Sequence, residues 1–564
     1  MTETPRLDAY HFYEEQWEDY DALRAAFDWE VPDRFNTAAY VCDRWAEERG
    51  RVALFYEDAD GHTETYTFRQ LRNAANRLAN HLADAGVERG DRIGVNTPQR
   101  PETVISHLAV WKLGATSIPL STLFGPDGLR YRLDDASAVA AVVDVSNVEA
   151  FREARTDLPD LHTVLTVDAD PDAGPDPDAT ETDFDDALSG SSPELETVDT
   201  GAEDESLLIY TSGTTGDPKG VRHVQRVLLG HLPLFLTTFA NVELTDRDVF
   251  WTPSEWAWIA SLFDVVFPAM FYGRPVLAYR GGQFDPRTAF ELIERYGVTN
   301  FFAPPTALRM MQRVENPGRF DVESIRTIAS GGEALGRTVA EWADEVFAGA
   351  VVHEGYGQTE ANVLAGECTA LFDSREGSFG LPGPGHELAI VDPETAEPTV
   401  PPGETGEIAV RYDDDPVCFT GYWNLPEKTD AKVTDGWLLT EDLGRMDGDG
   451  YLSFVGRKDD VIISAGYRIG PEEVEDSLAS HPAVADAAVI GVPDEERGEV
   501  PKAFVVLAAG HEPSDDLLEA LQSHVKDRLA KYEYPREIEF LDEMPTTTTG
   551  KVRRADLRER EALE

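Results

Sequence analysis

At 564 residues the chain is too long for one hydrophobic core, and two or more domains are expected. Its 41% hydrophobic content rules out a disordered composition, and 106 acidic against 49 basic residues, net −57, argue against nucleic-acid binding. The acids spread along the whole chain instead of forming one block, so they read as a solvated shell and not as a patch for a basic partner. Self-repulsion on this scale destabilises the compact state, and screening within roughly 3 Å at 1 M salt relieves it. The composition therefore implies the cytoplasmic protein of an extreme halophile. Thermal unfolding across a salt series is expected to show Tm climbing with NaCl; full stability in dilute buffer would exclude the reading. Cys42, Cys368 and Cys418 share no metal-ligand spacing and imply a reduced interior without disulfides. The N-terminus lacks a basic and apolar signal pattern, and no uncharged apolar run reaches about 18 residues, so no membrane span is expected.

Residues 64–145 alternate helical and strand patterns. A helix is expected over Phe68–Ala85, a strand over Arg92–Val95, a helix over Glu102–Leu113 and a strand over Val139–Val145. That rhythm predicts a parallel sheet with helices on its faces. Residues 167–205, dense in Asp, Glu, Pro, Gly and Ser, predict an exposed, acidic, loop-rich insertion. Next comes Tyr210-Thr-Ser-Gly-Thr-Thr-Gly-Asp-Pro-Lys-Gly220, with three glycines and four small hydroxyl residues in eleven positions. An apolar run, Leu207–Tyr210, leads in and a partly apolar segment follows from Val221, so the loop is expected between a strand and a helix. Such a loop lets backbone N–H groups and hydroxyls approach a polyphosphate, and Lys219 adds positive charge. No Gly-Lys-Ser/Thr closes it, so it is not a Walker A loop; a flexible surface turn is the alternative.

A second α/β rhythm runs from 207 to about 350. Its most apolar stretch, Ala257–Tyr279, is broken by Asp264 and Arg274 and reads as buried helix and strand. From 376 to 455, short alternating runs between Gly and Pro turns predict β structure of barrel type. Arg457-Lys-Asp-Asp460 marks a charged break. The last hundred residues predict a small α+β domain: strand Val461–Ser464, a helix opening at Pro471-Glu472-Glu473, strand Ala503–Leu507, helix Asp516–Leu529 and strand Ile538–Leu541.

Further motifs follow the glycine loop: Ser330-Gly-Gly-Glu-Ala334, Tyr356-Gly-Gln-Thr-Glu360, Thr440-Glu-Asp-Leu-Gly444, Gly456-Arg-Lys-Asp-Asp460, Tyr467-Arg-Ile-Gly-Pro471 and Pro545-Thr-Thr-Thr-Thr-Gly-Lys551. Each alone could be a turn. All of them, in this order, resemble the adenylate-forming superfamily of acyl-CoA synthetases, peptide-synthetase adenylation domains and firefly-type luciferases, over roughly residues 35–560. The stretch Trp251-Thr-Pro-Ser-Glu-Trp-Ala-Trp-Ile259 is similar to the short- and medium-chain acyl-CoA synthetase branch.

The resemblance implies a large N-terminal domain, residues 1–458, of two α/β subdomains and a distorted β-barrel. A smaller, mobile α+β domain, residues 459–564, would follow. It implies transfer of AMP from ATP to a carboxylate with release of pyrophosphate, and then displacement of AMP by the thiol of CoA. Thr211, Ser212, Gly213, Thr214, Thr215, Gly216 and Lys219 would hold the β- and γ-phosphates, Glu360 would hold Mg²⁺, and Lys551 would reach the acyl carboxylate and α-phosphate. Asp442 would accept from the ribose hydroxyls. Gly332, Glu333 and Ala334 would line the adenine and Tyr356 would stack on it, with Glu354, Gly355, Gly357 and Gln358 completing the nucleotide strand. Thr359, Arg457 and Arg468 would contact phosphate or ribose; surface ion pairing is the alternative for the two arginines. Asp459 matches the hinge, and Ser464, Ala465 and Gly466 would meet CoA. Trp258, Ile259, Ala260, Gly331 and Gly357 fall at acyl-pocket positions, and glycine at 357, where acetate-specific relatives carry Trp, argues against strict acetate use. Ala361-Asn362-Val363 departs from the family, many of whose members continue with Gly after the Thr-Glu pair.

Of only nine lysines in the chain, two fall on the candidate phosphate loops, at 219 and 551; most of the others sit at positions that read as ordinary helix or surface. A stand-alone acid–thiol ligase acting on a short-to-medium aliphatic acid fits best, with ATP and CoA as substrates, Mg²⁺ as cofactor and a homodimer as a candidate assembly. An aromatic-acid ligase, a carrier-loading adenylation enzyme, a luciferase-like oxidoreductase and a non-catalytic nucleotide binder are the alternatives.

Overall fold

The computed structural model describes the chain except for residues 1–3, 171–180, 212–217, 333–334, 399, 414, 459, 461, 465–466, 495–496, 530–532, 547–551 and 564. At 463, 467, 468, 473, 498, 527, 562 and 563 the backbone alone is described. The described strands form four sheets.

The first sheet has eight strands, and its centre is parallel: Thr116–Pro119, Arg92–Asn96, Ala140–Asp144 and Thr163–Val167 lie side by side in that order. The helix Phe68–Asp84 covers it for readable reasons. Thr67 and Gln70 form a reciprocal capping box at its start, and Leu71, Ala75, Leu78, Ala79 and Leu82 bury one face. The next helix, Pro101–Lys112, opens with proline at its first position, where the missing N–H costs nothing.

Two expectations here need correction. The glycine loop joins two antiparallel strands, Glu205–Thr211 and Lys219–Val224, in register Thr211↔Lys219; the helix begins only at Val227. Lys219–Val224 carries two β-branched valines and lies between Glu205–Thr211 and the short strand Gly421–Tyr422, so sheet pairing decides its conformation. The acidic insertion is not all loop either. Glu181–Asp183 adds an edge strand beside Thr163–Val167, and the helix Phe184–Gly190 follows, capped by Asp183 and anchored by buried Phe184. Arg152, 2.8 Å from Glu181, gives that acid a buried partner that composition could not reveal.

The second sheet has nine strands, from Leu381–Pro382 at one edge to Thr63–Thr67 at the other. Its parallel core includes Thr327–Gly331 beside Val351–Gln358, in register Ser330↔Glu354 and Gly331↔Gly355. Ala257–Tyr279 folds as expected, into a turn Ile259–Ser261, a π-helical turn Leu262–Val266, the helix Phe267–Phe271 and the strand Val276–Arg280. Its two charges are paired: Asp264 accepts from His231 Nδ1 at 2.6 Å, and Arg274 meets Asp246 at 2.6 Å.

The region expected to be barrel-like is a five-stranded antiparallel sheet built around the ten-residue strand Trp437–Met446; among the described residues no pairing closes it into a ring. The fourth sheet carries the C-terminal α+β unit. Sequence reading missed its long strand Val484–Asp494, whose alanines and proline hide a ten-pair register with Gly498–Leu507, and the final helix Arg554–Leu563. Among the described residues no helix is long and apolar enough to cross a membrane. The three cysteines are buried and unpaired, and burial pushes the Cys368 thiol up to about 12.

Candidate active site

Three sheets meet where the motifs lie. The hairpin strand Lys219–Val224 is fastened to the second sheet by His223, whose Nε2 donates to the carbonyl of Thr359 at 2.7 Å; burial lowers its pKa to about 3, so the ring stays neutral. Glu360 is almost fully buried, and its Oε1 accepts from Tyr422 Oη at 2.7 Å. The ammonium of Lys219 stands 4.8 Å from the centre of the same Tyr422 ring. One phenol thus meets a cation at its ring and a carboxylate at its hydroxyl. Burial, with Glu360 adding to it, drives the Tyr422 pKa up, so it remains a donor. Sequence reading missed Tyr422; its only signal is its place in the edge strand opposite Val221, and that pairing is visible only in the fold.

Asp442 lies mid-strand in Trp437–Met446 and is buried. Tyr356 Oη donates to its Oδ2 at 2.7 Å, and Arg457, opposite it in the neighbouring strand, reaches Oδ1 at 3.0 Å. Gln358 Nε2 donates to the carbonyl of Thr440 at 3.0 Å, which ties the second sheet to the third. Arg457 is therefore an ion-pair partner of the candidate ribose acceptor. The ring of Tyr356 stacks on Phe379, centroids 5.7 Å apart.

Local backbone explains several glycines. Gly332 has φ +87°, a left-handed conformation that glycine adopts without strain. A Cβ on Gly331 would stand 2.8 Å from the Gly355 carbonyl, so the close approach of these strands requires glycine. A Cβ on Gly357 would collide with the backbone of Asn362 and Val363 across a β-bulge. This local demand weakens Gly357 as a sign of a roomy acyl pocket. Asn362, within the stretch that departs from the family pattern, has φ +64°, a left-handed conformation that asparagine tolerates, and its Nδ2 donates to Val417 O at 2.9 Å. Trp258 meets Phe124 edge-on at 6.5 Å, and Ile259 and Ala260 start the short helical turn beside it. Glu255 fastens this segment by accepting from Ser121 Oγ at 2.6 Å and Thr122 N at 2.7 Å.

Glu354 accepts from the N–H of Leu335 at 3.0 Å while its own N–H donates to Glu367. Burial above all, with repulsion from Glu367 and Asp476, pushes its carboxyl from an ordinary 4.5 up to about 7. The folded protein then keeps a proton that the unfolded chain has lost, so this contribution is full below about pH 4.5, declines as pH rises to about 7 and stays low above. Glu354→Gln is expected to raise Tm at pH 8, by the equivalent of roughly 2–3 kcal/mol, and to leave it unchanged at pH 4.5. Equal Tm values at pH 8 would rule this out.

Ser212–Gly216, Glu333, Ala334, Asp459, Ala465, Gly466 and Lys551 lie outside the described residues, as does the side chain of Arg468. Ser464 is buried at the end of the strand Ile462–Ser464. Of the other lysines, Lys428, Lys458 and Lys526 are exposed as expected, and the reading needs correction at three positions. Lys112, Lys432 and Lys502 are buried, with side chains 1%, 5% and 8% exposed, each beside a carboxylate. At these three positions a compact ammonium is buried against an acid.

The AMP-binding enzyme family matches residues 42–423, and the AMP-binding enzyme C-terminal domain matches residues 473–551. An uncharacterized acyl–CoA ligase of Bacillus subtilis is 36% identical, over 91% of this chain and 93% of that protein. A mitochondrial acyl-coenzyme A synthetase of Rattus norvegicus is also 36% identical, over 94% and 91%. Among solved structures, an anthranilate CoA ligase in complex with anthranoyl-AMP superposes with a TM-score of 0.86 at 29% identity, covering 94% of this chain and 98% of that one. The chain belongs to the AMP-binding enzyme family and is an AMP-forming acyl-CoA ligase.

Proposed function

We propose that this ligase activates a short-to-medium aliphatic carboxylic acid, and that the arrangement Lys219–Tyr422–Glu360 forms the phosphate end of its ATP site. An oxide is a poor leaving group, so the carboxylate oxygen first attacks the α-phosphorus and the α–β P–O bond breaks. Pyrophosphate leaves, the thiol sulfur of CoA attacks the acyl carbon, AMP departs and the thiol proton passes to solvent. The first step brings anions together, which fixed cations must offset. Lys219 and the glycine loop hold the leaving phosphates; Asp442, oriented by Tyr356 and Arg457, takes the ribose.

Glu360 is the candidate metal ligand, and among the described residues no group of three or more His, Cys, Asp or Glu could hold a metal. That donor set fits Mg²⁺, which binds through one or two carboxylates plus water and substrate phosphates. When bound, the ion would neutralise charge on the phosphates.

Residues 459–564 act as a mobile domain hinged at Asp459. On one side of the hinge, Lys458 Nζ meets buried Glu407 at 2.7 Å. On the other, Asp460 is held by Arg558 at 2.5 Å and Arg554 at 3.5 Å, both on the final helix. The two neighbours of Asp459 are thus anchored to different units. The acidic surface supports a cytoplasmic protein working at high salt, and a homodimer is the assembly to look for by sedimentation.

The half-buried Trp258, Ile259 and Ala260 support the aliphatic reading; the likeness to an anthranilate ligase favours an aromatic acid instead. ATP–pyrophosphate exchange across acetate, longer straight-chain acids and benzoate, followed by CoA-dependent AMP release, separates them. Short-to-medium acids are expected to exceed both acetate and benzoate; exchange with benzoate alone would sink the aliphatic assignment.

A further inference from the structure

A cavity of about 270 Å³, lined by none of the candidate catalytic residues, lies between the N-terminal turn Asp8–Glu14, the turn Asp43–Trp45 and the segment after the helix Phe267–Phe271. Four arginines, Arg6, Arg44, Arg51 and Arg274, line it together with His11, against a single lining carboxylate, Glu14. In a chain where acids outnumber bases by 106 to 49, that local reversal requires an explanation.

The arginines are unevenly partnered. Arg6 meets Asp8 at 2.9 Å and Glu14 at 2.6 Å. Arg274 meets Asp246 at 2.6 Å, and Arg51 meets Glu48 at 3.1 Å with Asp246 at 3.8 Å. Among the described residues Arg44 has no carboxylate partner. One of its N–H groups donates to the carbonyl of Phe271, and its plane rests on Phe271 at 4.2 Å and Trp45 at 4.8 Å. Such stacking holds a guanidinium in place without using its in-plane donors. Burial lowers the Arg44 pKa to about 10, aided by Arg51, so the group is still charged at neutral pH.

We propose that this cavity is a binding site for a small oxyanion, one that presents phosphate or carboxylate oxygens to Arg44, Arg51 and Arg274. Guanidinium forks match both groups, and a volume below the roughly 300 Å³ at which ligand pockets usually begin selects a compact anion. The bound anion would join the N-terminal segment to the turn at Asp43–Trp45 and so stabilise the fold.

The test is calorimetric titration of the full chain at fixed high NaCl with inorganic phosphate and, separately, with succinate. Saturable binding of at least one probe is expected, weakened about tenfold or more by Arg44→Gln and by Arg274→Gln. The probe that saturates identifies the anion's class. Lys219→Ala should retain that binding, which separates this cavity from the ATP site. Should Arg44→Gln fail to fold, Arg274→Gln, at the exposed carboxylate of Asp246, decides. No saturable binding of either probe, loss of binding in Lys219→Ala, or affinity unchanged in the arginine variants would overturn the proposal.

Discussion

Replacing Lys551 with alanine is expected to cut ATP–pyrophosphate exchange by about 10²–10³-fold, the usual cost of losing one charge aimed at the transition state. Thioester formation from supplied acyl-adenylate should stay within a few-fold of the parent, because by then the phosphoryl chemistry is over. The loop carrying Lys551 is pinched at its base, where Thr546 bridges Val552 and the N–H of Arg553 donates to Pro545 O at 2.9 Å. Met544 and Leu557, on either side, are buried in one cluster with Phe504. The segment that carries the lysine thus belongs to the small α+β unit, whose buried cluster does not include residue 551. Exchange at the parental rate would refute the assignment.

Asp459→Pro is expected to do the reverse: adenylation within a few-fold of the parent, thioester formation down by about 10²-fold. Proline fixes φ near −65° and restricts the residue before it, so the chain could no longer swing between two arrangements. Misplacement by about 1 Å is enough for a loss of that size. With Lys458 anchored to Glu407 and Asp460 to Arg554 and Arg558, the proposed hinge falls between the two anchors. Equal loss of both half-reactions would count against a hinge there. The two variants together distinguish a chemical role from a conformational one.

Much of the architecture follows from local rules. The helix Phe68–Asp84 is written in its capping box and its apolar stripe, and the strands Arg92–Asn96 and Ala140–Asp144 in short apolar runs between breakers. The strand Val484–Asp494 is hidden in the sequence because its alanines, glycine and proline carry little strand preference, although Val489, Ile490 and Val492 are buried once it pairs with Gly498–Leu507. The glycine loop was placed before a helix: Lys219–Val224 is a strand only because two neighbours pair with it.

The motifs by themselves determined the chemistry. Their residue types and order carried the family, the ATP-dependent reaction and the candidate lysines, since phosphate-holding glycine loops and charged contacts need particular residues wherever they fall. Tertiary structure alone decided who stands beside whom. It brought Tyr422 against both Lys219 and Glu360, paired Arg457 with Asp442, buried Lys112, Lys432 and Lys502 beside acids, and gathered four arginines around one cavity in a chain of net charge −57. Those partners come from segments up to about 270 residues apart, and a contact of that kind is set by sheet register and packing, which no local pattern encodes.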